Sequence, residues 1–323
     1  MWEEDNACNL RKRNLPNKSW IYLEKADFSD CSVNRHRRDI FPIPLNQRKN
    51  QKMGQSDDDK ESFVLPLADR DVAHLPGHWL LARLGKKVLR PGGKKLTDRI
   101  LSDADLRGAD VLELAPGLGK TARAILAHDP KSYTGVETDA AAAHITREAV
   151  GVSGVIVHGE ATSTGLDDAS VDVVVAEAIL TMQTDKHKAE IAREAFRVLR
   201  PGGRYAIHEL ALEPDEIDST AKTEIRQALA RSIKVNARPL TESEWRNLLQ
   251  EAGFKITTVS FAPMALLRPS RILADEGLAG TIRFVGNVLR DSDARTRVLA
   301  MRTTFTKYRK HLAAIEIIAQ KPG

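Results

Sequence analysis

Five short apolar segments alternate with helical stretches between residues 110 and 212, and this alternation constrains the fold more than any other feature. The segments are DVLELA (110–115), SYTGVE (132–137), GVIVHG (154–159), VDVVVAEAI (171–179) and GRYAIHELAL (203–212). They are short and rich in valine, as strands buried on both faces must be. The stretches 119–128, 139–149 and 186–199 carry helical periodicity. Strands and helices in strict alternation predict a parallel sheet with a helical layer on each side. The predicted fold class is therefore α/β, a doubly wound, Rossmann-like sheet.

Beyond residue 212 the pattern loosens. LTESEWRNLLQEAGF reads as a helix, with Thr241 and Glu244 forming a capping box and Gly253 ending it. FKITTVSFAPM and AAIEIIAQKPG read as the two last strands. Two helical insertions are expected, over about 214–240 and 264–311. The second holds the helical stretches EGLAGTIRFVGNVLRD and ARTRVLAMRTTFTKYRKHL. A long insertion at that point serves either as a lid over a site or as an arm for forming homo-oligomers. Upstream, HWLLARLGKKVL and RPGGKKLTDRILSDADL read as two short helices around a Gly turn. Residues 1–60 show neither period and are expected to be a disordered or loosely attached extension, so that 61–323 form the working domain. MGQSDDDKESF, from Met53, also reads as an ordinary N-terminus.

Charge and cysteine usage narrow the function. The net charge of +5 comes mainly from residues 1–52, which carry eleven basic and seven acidic side chains; the remaining 271 residues carry 38 and 37. A near-neutral body argues against a nucleic-acid partner. Cys8 and Cys31 are the only cysteines. The main body therefore has no cysteine nucleophile, disulfide framework or cysteine zinc site, and no metal is expected. No run is long enough to span a bilayer and the first residues have no apolar signal core, so a cytoplasmic location is expected.

The chemistry centres on VLELAPGLGKT (111–121). GLGKT resembles the end of a nucleotide-triphosphate loop, but the first glycine of that loop would fall at Leu114, inside a strand, so the match is accidental. Gly117, Gly119 and Ala122 also fit a dinucleotide turn, with Glu137 twenty residues after Gly117, where a strand-end carboxylate can accept both ribose hydroxyls. Any adenosine-bearing cofactor can use that turn. Glu113, inside the strand, argues against a pyrophosphate and suits a cationic cofactor. Glu160, ending HGEA, is placed to accept from an adenine amine, with the Ala161 N–H beside it.

With VLELAPGLGKTA, YTGVETD, GEATSTGLDDASVDVVVAEAIL and RVLRPGG in this order, the chain resembles class I S-adenosylmethionine-dependent methyltransferases, of the small-molecule group that includes ubiquinone/menaquinone-biosynthesis-type enzymes. The resemblance spans about residues 90–212. It implies a seven-stranded sheet with the last strand antiparallel, S-adenosyl-L-methionine as cofactor and a small-molecule methyl acceptor. It implies cofactor contacts from Glu113, Ala115, Pro116, Gly117, Leu118, Gly119, Glu137, Thr138, Glu160, Ala161 and Glu177. Ala115 stands where glycine is usual and is expected at negative φ. Ala178 and Ile179, after the fourth strand, would line the transfer pocket with Glu177. The segment LRPGGKKLT (89–97) resembles one that folds over the cofactor, making Gly93 and Thr97 candidates. His208 and Glu209 project to opposite sides of the fifth strand, and either is a candidate general base. Lys120 reads as a surface residue. Two other readings remain at this point: a nicotinamide-dependent oxidoreductase, and a methyltransferase-like module that binds without catalysing.

Overall fold

A computed structural model describes residues 65–323; the expected extension 1–60 lies outside them. The chain runs through α1 (Gly77–Arg83), α2 (Gly93–Asp103), β1 (Asp110–Leu114), α3 (Lys120–Leu126), β2 (Ser132–Glu137) and α4 (Ala140–Val150). It continues through β3 (Val155–His158), β4 (Val171–Glu177), α5 (Asp185–Val198), β5 (Leu199–Leu212), α6 (Ser219–Ile233), β6 (Leu240–Thr241) and α7 (Glu242–Glu251). It closes with β7 (Lys255–Pro263), α8 (Pro269–Arg290), α9 (Ser292–Lys307) and β8 (Leu312–Gln320).

The eight strands form one sheet in the order β3-β2-β1-β4-β5-β8-β7, with the two-residue β6 beside the end of β5. β8 inserts antiparallel between β5 and β7. The antiparallel last strand agrees with expectation; β6 adds an eighth strand, too short to leave a period in the sequence. The central strands bury both faces, and their side chains alternate between two cores. Val111, Val173, Val175 and Ala206 pack with Ile100, Leu101 and Ile125 beneath α2 and α3. Leu112, Leu114, Val174 and Tyr205 pack with Ile191, Val198, Trp245 and Leu249 beneath α5 and α7.

Helix boundaries follow local chemistry. Asp139 caps α4 by accepting from the Ala142 N–H, and Thr184 caps α5 by accepting from the His187 N–H. The Thr241–Glu244 capping box is present, and Gly253 follows α7 at φ 102°. At the edge of the sheet opposite the loops, Arg200 Nη1 donates to Asp110 at 3.0 Å and to Asp172 at 2.8 Å, joining the starts of β1 and β4. The 214–240 insertion forms α6 and β6. The 264–311 insertion forms α8 and α9, which pack with α1 through Leu80, Leu84, Phe284, Val298 and Met301.

Trp245 is fully buried in the α5/α7 core, and its indole N–H donates to the Leu210 carbonyl at 3.3 Å. Trp245→Ala is expected to lower the unfolding free energy by about 3–5 kcal/mol, read from the urea midpoint at unchanged slope.

Candidate active site

The carboxyl ends of β1, β2 and β4 open into a cleft of about 620 Å³. Ligands in open α/β sheets settle outside such strand ends. Its floor is the turn after β1. Ala115, Pro116, Gly117 and Leu118 line the cleft, and α3 begins immediately after them. Gly117 has φ 59°, a left-handed conformation that glycine adopts without strain. Ala115 also has a positive φ, 53°, and this corrects the expectation of a negative one. An L-residue held there costs about 1 kcal/mol, which the surrounding packing must offset. Gly119 does not line the cleft. A Cβ at this position would stand 2.5 Å from the Ala149 Cβ, so its small size lets α3 pack on α4.

Glu137, at the end of β2, is oriented before any ligand arrives. The Gly117 N–H donates to Oε2 at 3.0 Å and the Asp139 N–H to Oε1 at 3.1 Å. The carboxylate is buried and borders the cleft beside Thr138. Glu160 and Ala161 border the same space from the loop after β3. Glu113 is almost wholly buried and accepts from the Tyr133 hydroxyl at 2.6 Å. Burial pushes its carboxyl up to about 8, against the opposing hydrogen bond from Tyr133.

Glu177, at the end of β4, sits at the centre of a buried network. Arg90 Nε lies 3.0 Å from Oε1, and His208 Nδ1–H donates to the same oxygen at 2.7 Å. The hydroxyls of Thr97 and Thr121 also donate to it. Burial alone would raise this carboxyl; Arg90 and then His208 and Thr121 outweigh it and hold the group at about 2. Thr97 is fully buried within the network and does not line the cleft, and Gly93 does not line it either. The 89–97 segment contributes Arg90 and Leu89 instead.

Neither base candidate lines this cleft. His208 is fully buried, lines no cavity and spends Nδ1 on Glu177. Glu209 points to the opposite side of the sheet, as the strand period requires. There it accepts from the Ile179, Leu180 and Thr181 N–H groups at 3.0, 2.7 and 3.0 Å and from the Thr181 hydroxyl at 2.6 Å. These four donors tie Glu209 to the turn at Leu180–Met182, while burial raises its pKa against them, and Glu209 borders a second, smaller cavity. Conversely, Lys120 lines the cleft, where burial and then neighbouring Lys87 lower its pKa. His78, on α1, also lines it, and its ring makes no hydrogen bond to any described residue. Nothing in the local sequence marks His78, which reads as one residue of an amphipathic helix.

A carboxyl whose folded pKa is raised stabilises the folded state below its unfolded value. That contribution fades as the pH climbs through the folded value. For Glu113 the window runs from about 4.5 to about 8. Glu113→Gln should melt with wild-type protein near pH 4.5 and higher than it, by about 5 °C or more, above pH 8. Thermal melts at the two pH values check this.

The comparisons with known proteins agree with this geometry. A family described as "Methyltransferase domain" matches residues 112–207. An uncharacterized protein of Haemophilus influenzae is 31% identical over 251 residues, covering 76% of this chain and 98% of its own length. A protein of Mycolicibacterium smegmatis named "Probable S-adenosylmethionine-dependent methyltransferase" is 34% identical over 150 residues, 46% of this chain and 53% of that one. The fold matches that of a cyclopropane synthase from Mycobacterium tuberculosis with a TM-score of 0.59 and 12% identity, over 78% of this chain and 99% of that one. The residues at the cleft suit a nucleoside with a cationic tail: Glu137 preset for a diol, a buried carboxyl at Glu113, and a turn whose backbone comes close. The chain belongs to the class I S-adenosylmethionine-dependent methyltransferases.

Proposed function

We propose that this enzyme methylates a small, largely apolar molecule whose accepting atom carries a proton. The observation that carries this reading is a second cavity, of about 110 Å³, adjoining the cleft. Leu81, Leu229, Met264, Leu266, Met301 and Phe305 line it, and it shares His78, Leu89, Ala178 and Met182 with the cleft. Apolar walls with few polar groups are the usual lining of a small-molecule site. The near-neutral charge of the body supports a small acceptor over a nucleic acid, and the resemblance to quinone-biosynthesis-type enzymes points the same way. Within the 264–311 insertion, Leu266, Met301 and Phe305 reach this cavity, whereas Ile282, Val285 and Leu289 face outward.

S-adenosylmethionine supplies an activated methyl group on a sulfonium. Glu137 would accept from the ribose hydroxyls, and Glu160 with the Ala161 N–H would meet the adenine. Glu113 would face the ammonium, a cation that favours its ionised form. Glu177 would keep Arg90 and the segment around it folded over the site. Positioning does most of the work in such a transfer. Among the described residues, His78 is the only titratable side chain bordering both cavities. Burial lowers its imidazole to about 4, which leaves it neutral near pH 7 but a weaker base than a free imidazole; its place between the two cavities, not its basicity, makes it the candidate to take the acceptor's proton.

Labelled S-adenosylmethionine incubated with the protein and a whole-cell extract tests this reading. Label should enter an organic-soluble product. His78→Ala should slow that entry by about 10²–10⁴-fold with S-adenosylhomocysteine binding unchanged. Label confined to nucleic acid or protein, or a His78→Ala rate equal to wild type, would contradict the respective halves of the proposal.

A further inference from the structure

The outer face of α8 carries Leu278, Ile282, Val285 and Leu289 at 69%, 64%, 44% and 62% exposure. Their spacing of four, three and four residues places them on one stripe. The stripe begins just after Gly277, whose φ of 70° and ψ of 177° break the helix. From there α8 runs about 20 Å to Arg290. The other side of α8 is already occupied. Phe284 is buried against α1 and α9, Asn287 donates to the Leu84 carbonyl, and Asp275 and Glu276 face the buried Lys86 ammonium at 3.8 and 3.4 Å. The helix is thus fixed to the body with its apolar stripe turned out.

The charges beside the stripe identify what it faces. Between Leu278 and Arg290 there is no acidic residue, while Arg283 and Arg290 are exposed along one flank. A second copy is a poor fit. Two-fold antiparallel pairing brings the same flank against itself, setting arginine against arginine with no acid to answer it. An apolar stripe with an arginine flank matches an anionic bilayer surface, where the apolar side chains reach the acyl boundary and the guanidinium groups meet headgroup phosphates.

We infer that α8 docks the enzyme peripherally on anionic membranes. No described helix is long and apolar enough to cross a membrane, so the contact is at the surface. The segment before α8 supplies Met264 and Leu266 to the apolar cavity, and α9 supplies Met301 and Phe305. If the acceptor is apolar, as proposed above, docking also brings the cavity to the phase in which such a molecule dissolves; the docking itself does not depend on that reading.

Co-sedimentation of the full chain with phosphatidylglycerol/phosphatidylcholine vesicles tests the inference. Binding should exceed that to phosphatidylcholine alone and weaken with added salt. The double variant Ile282→Glu, Leu289→Glu should stay in the supernatant with the extension at residues 1–60 intact. Arg283→Ala and Arg290→Ala should each weaken partitioning about fivefold. All variants should bind S-adenosylhomocysteine as wild type does, which separates failure of docking from failure of the methyltransferase site. Absence of binding to anionic vesicles, or equal binding by the double glutamate variant, overturns the inference. So does a dimer in light scattering that Ile282→Glu dissociates, since a second copy would then occupy the stripe.

Discussion

The site depends on one buried charge. Glu177 ends β4 almost out of reach of water, where an unpaired carboxylate is strongly disfavoured. It is matched by Arg90 from the segment before α2, Thr97 from α2, Thr121 from α3 and His208 from β5. A buried charge is tolerated only when such partners hold it in good geometry, and removing one leaves the others uncompensated. The network therefore clamps four separate pieces of chain around the mouth of the cleft. A second buried pair continues it: Lys86, four residues before Arg90, is held by Asp275 and Glu276 of α8. The segment covering the cleft is thus fastened to the sheet at one end and to the C-terminal insertion at the other.

Strain collects at the same place. Ala115 and Ala178 follow neighbouring strands, each with a positive φ, and both line the cleft. Non-glycine residues in this conformation persist only where packing over-determines them, and they gather at ligand sites. Ala178 also borders the apolar cavity, so the strained turn stands where the two spaces meet.

The sheet was legible because strand and helix periods differ, and burial on both faces writes itself as valine runs. The turn after β1 and Glu137 were legible because both are local: a short loop between a strand and a helix, and a carboxylate at the end of the next strand. Glu177 was found for the same reason, being a strand end. What it binds was not legible, because Arg90, Thr97, Thr121 and His208 come from four places in the chain and only the fold brings them together. Strand alternation placed His208 and Glu209 on opposite faces but says nothing of partners. In the fold His208 is tied to Glu177 through Nδ1, and Glu209 to the turn at Leu180–Met182 through four donors. Gly119 looked like a cofactor glycine and is needed for helix packing. Lys120 read as a surface residue and lines the cleft. His78 gave no signal at all, since a histidine on a short amphipathic helix looks the same whether it faces solvent or two cavities.

The central claim is that the turn at 115–118 and Glu137 hold S-adenosylmethionine. Isothermal titration of the intact protein with S-adenosylhomocysteine tests it most directly. The account predicts saturable binding at one site per chain, lost in Glu137→Ala while the variant still folds cooperatively. No heat of binding with folded wild-type protein, or binding that Glu137→Ala leaves untouched, would contradict it.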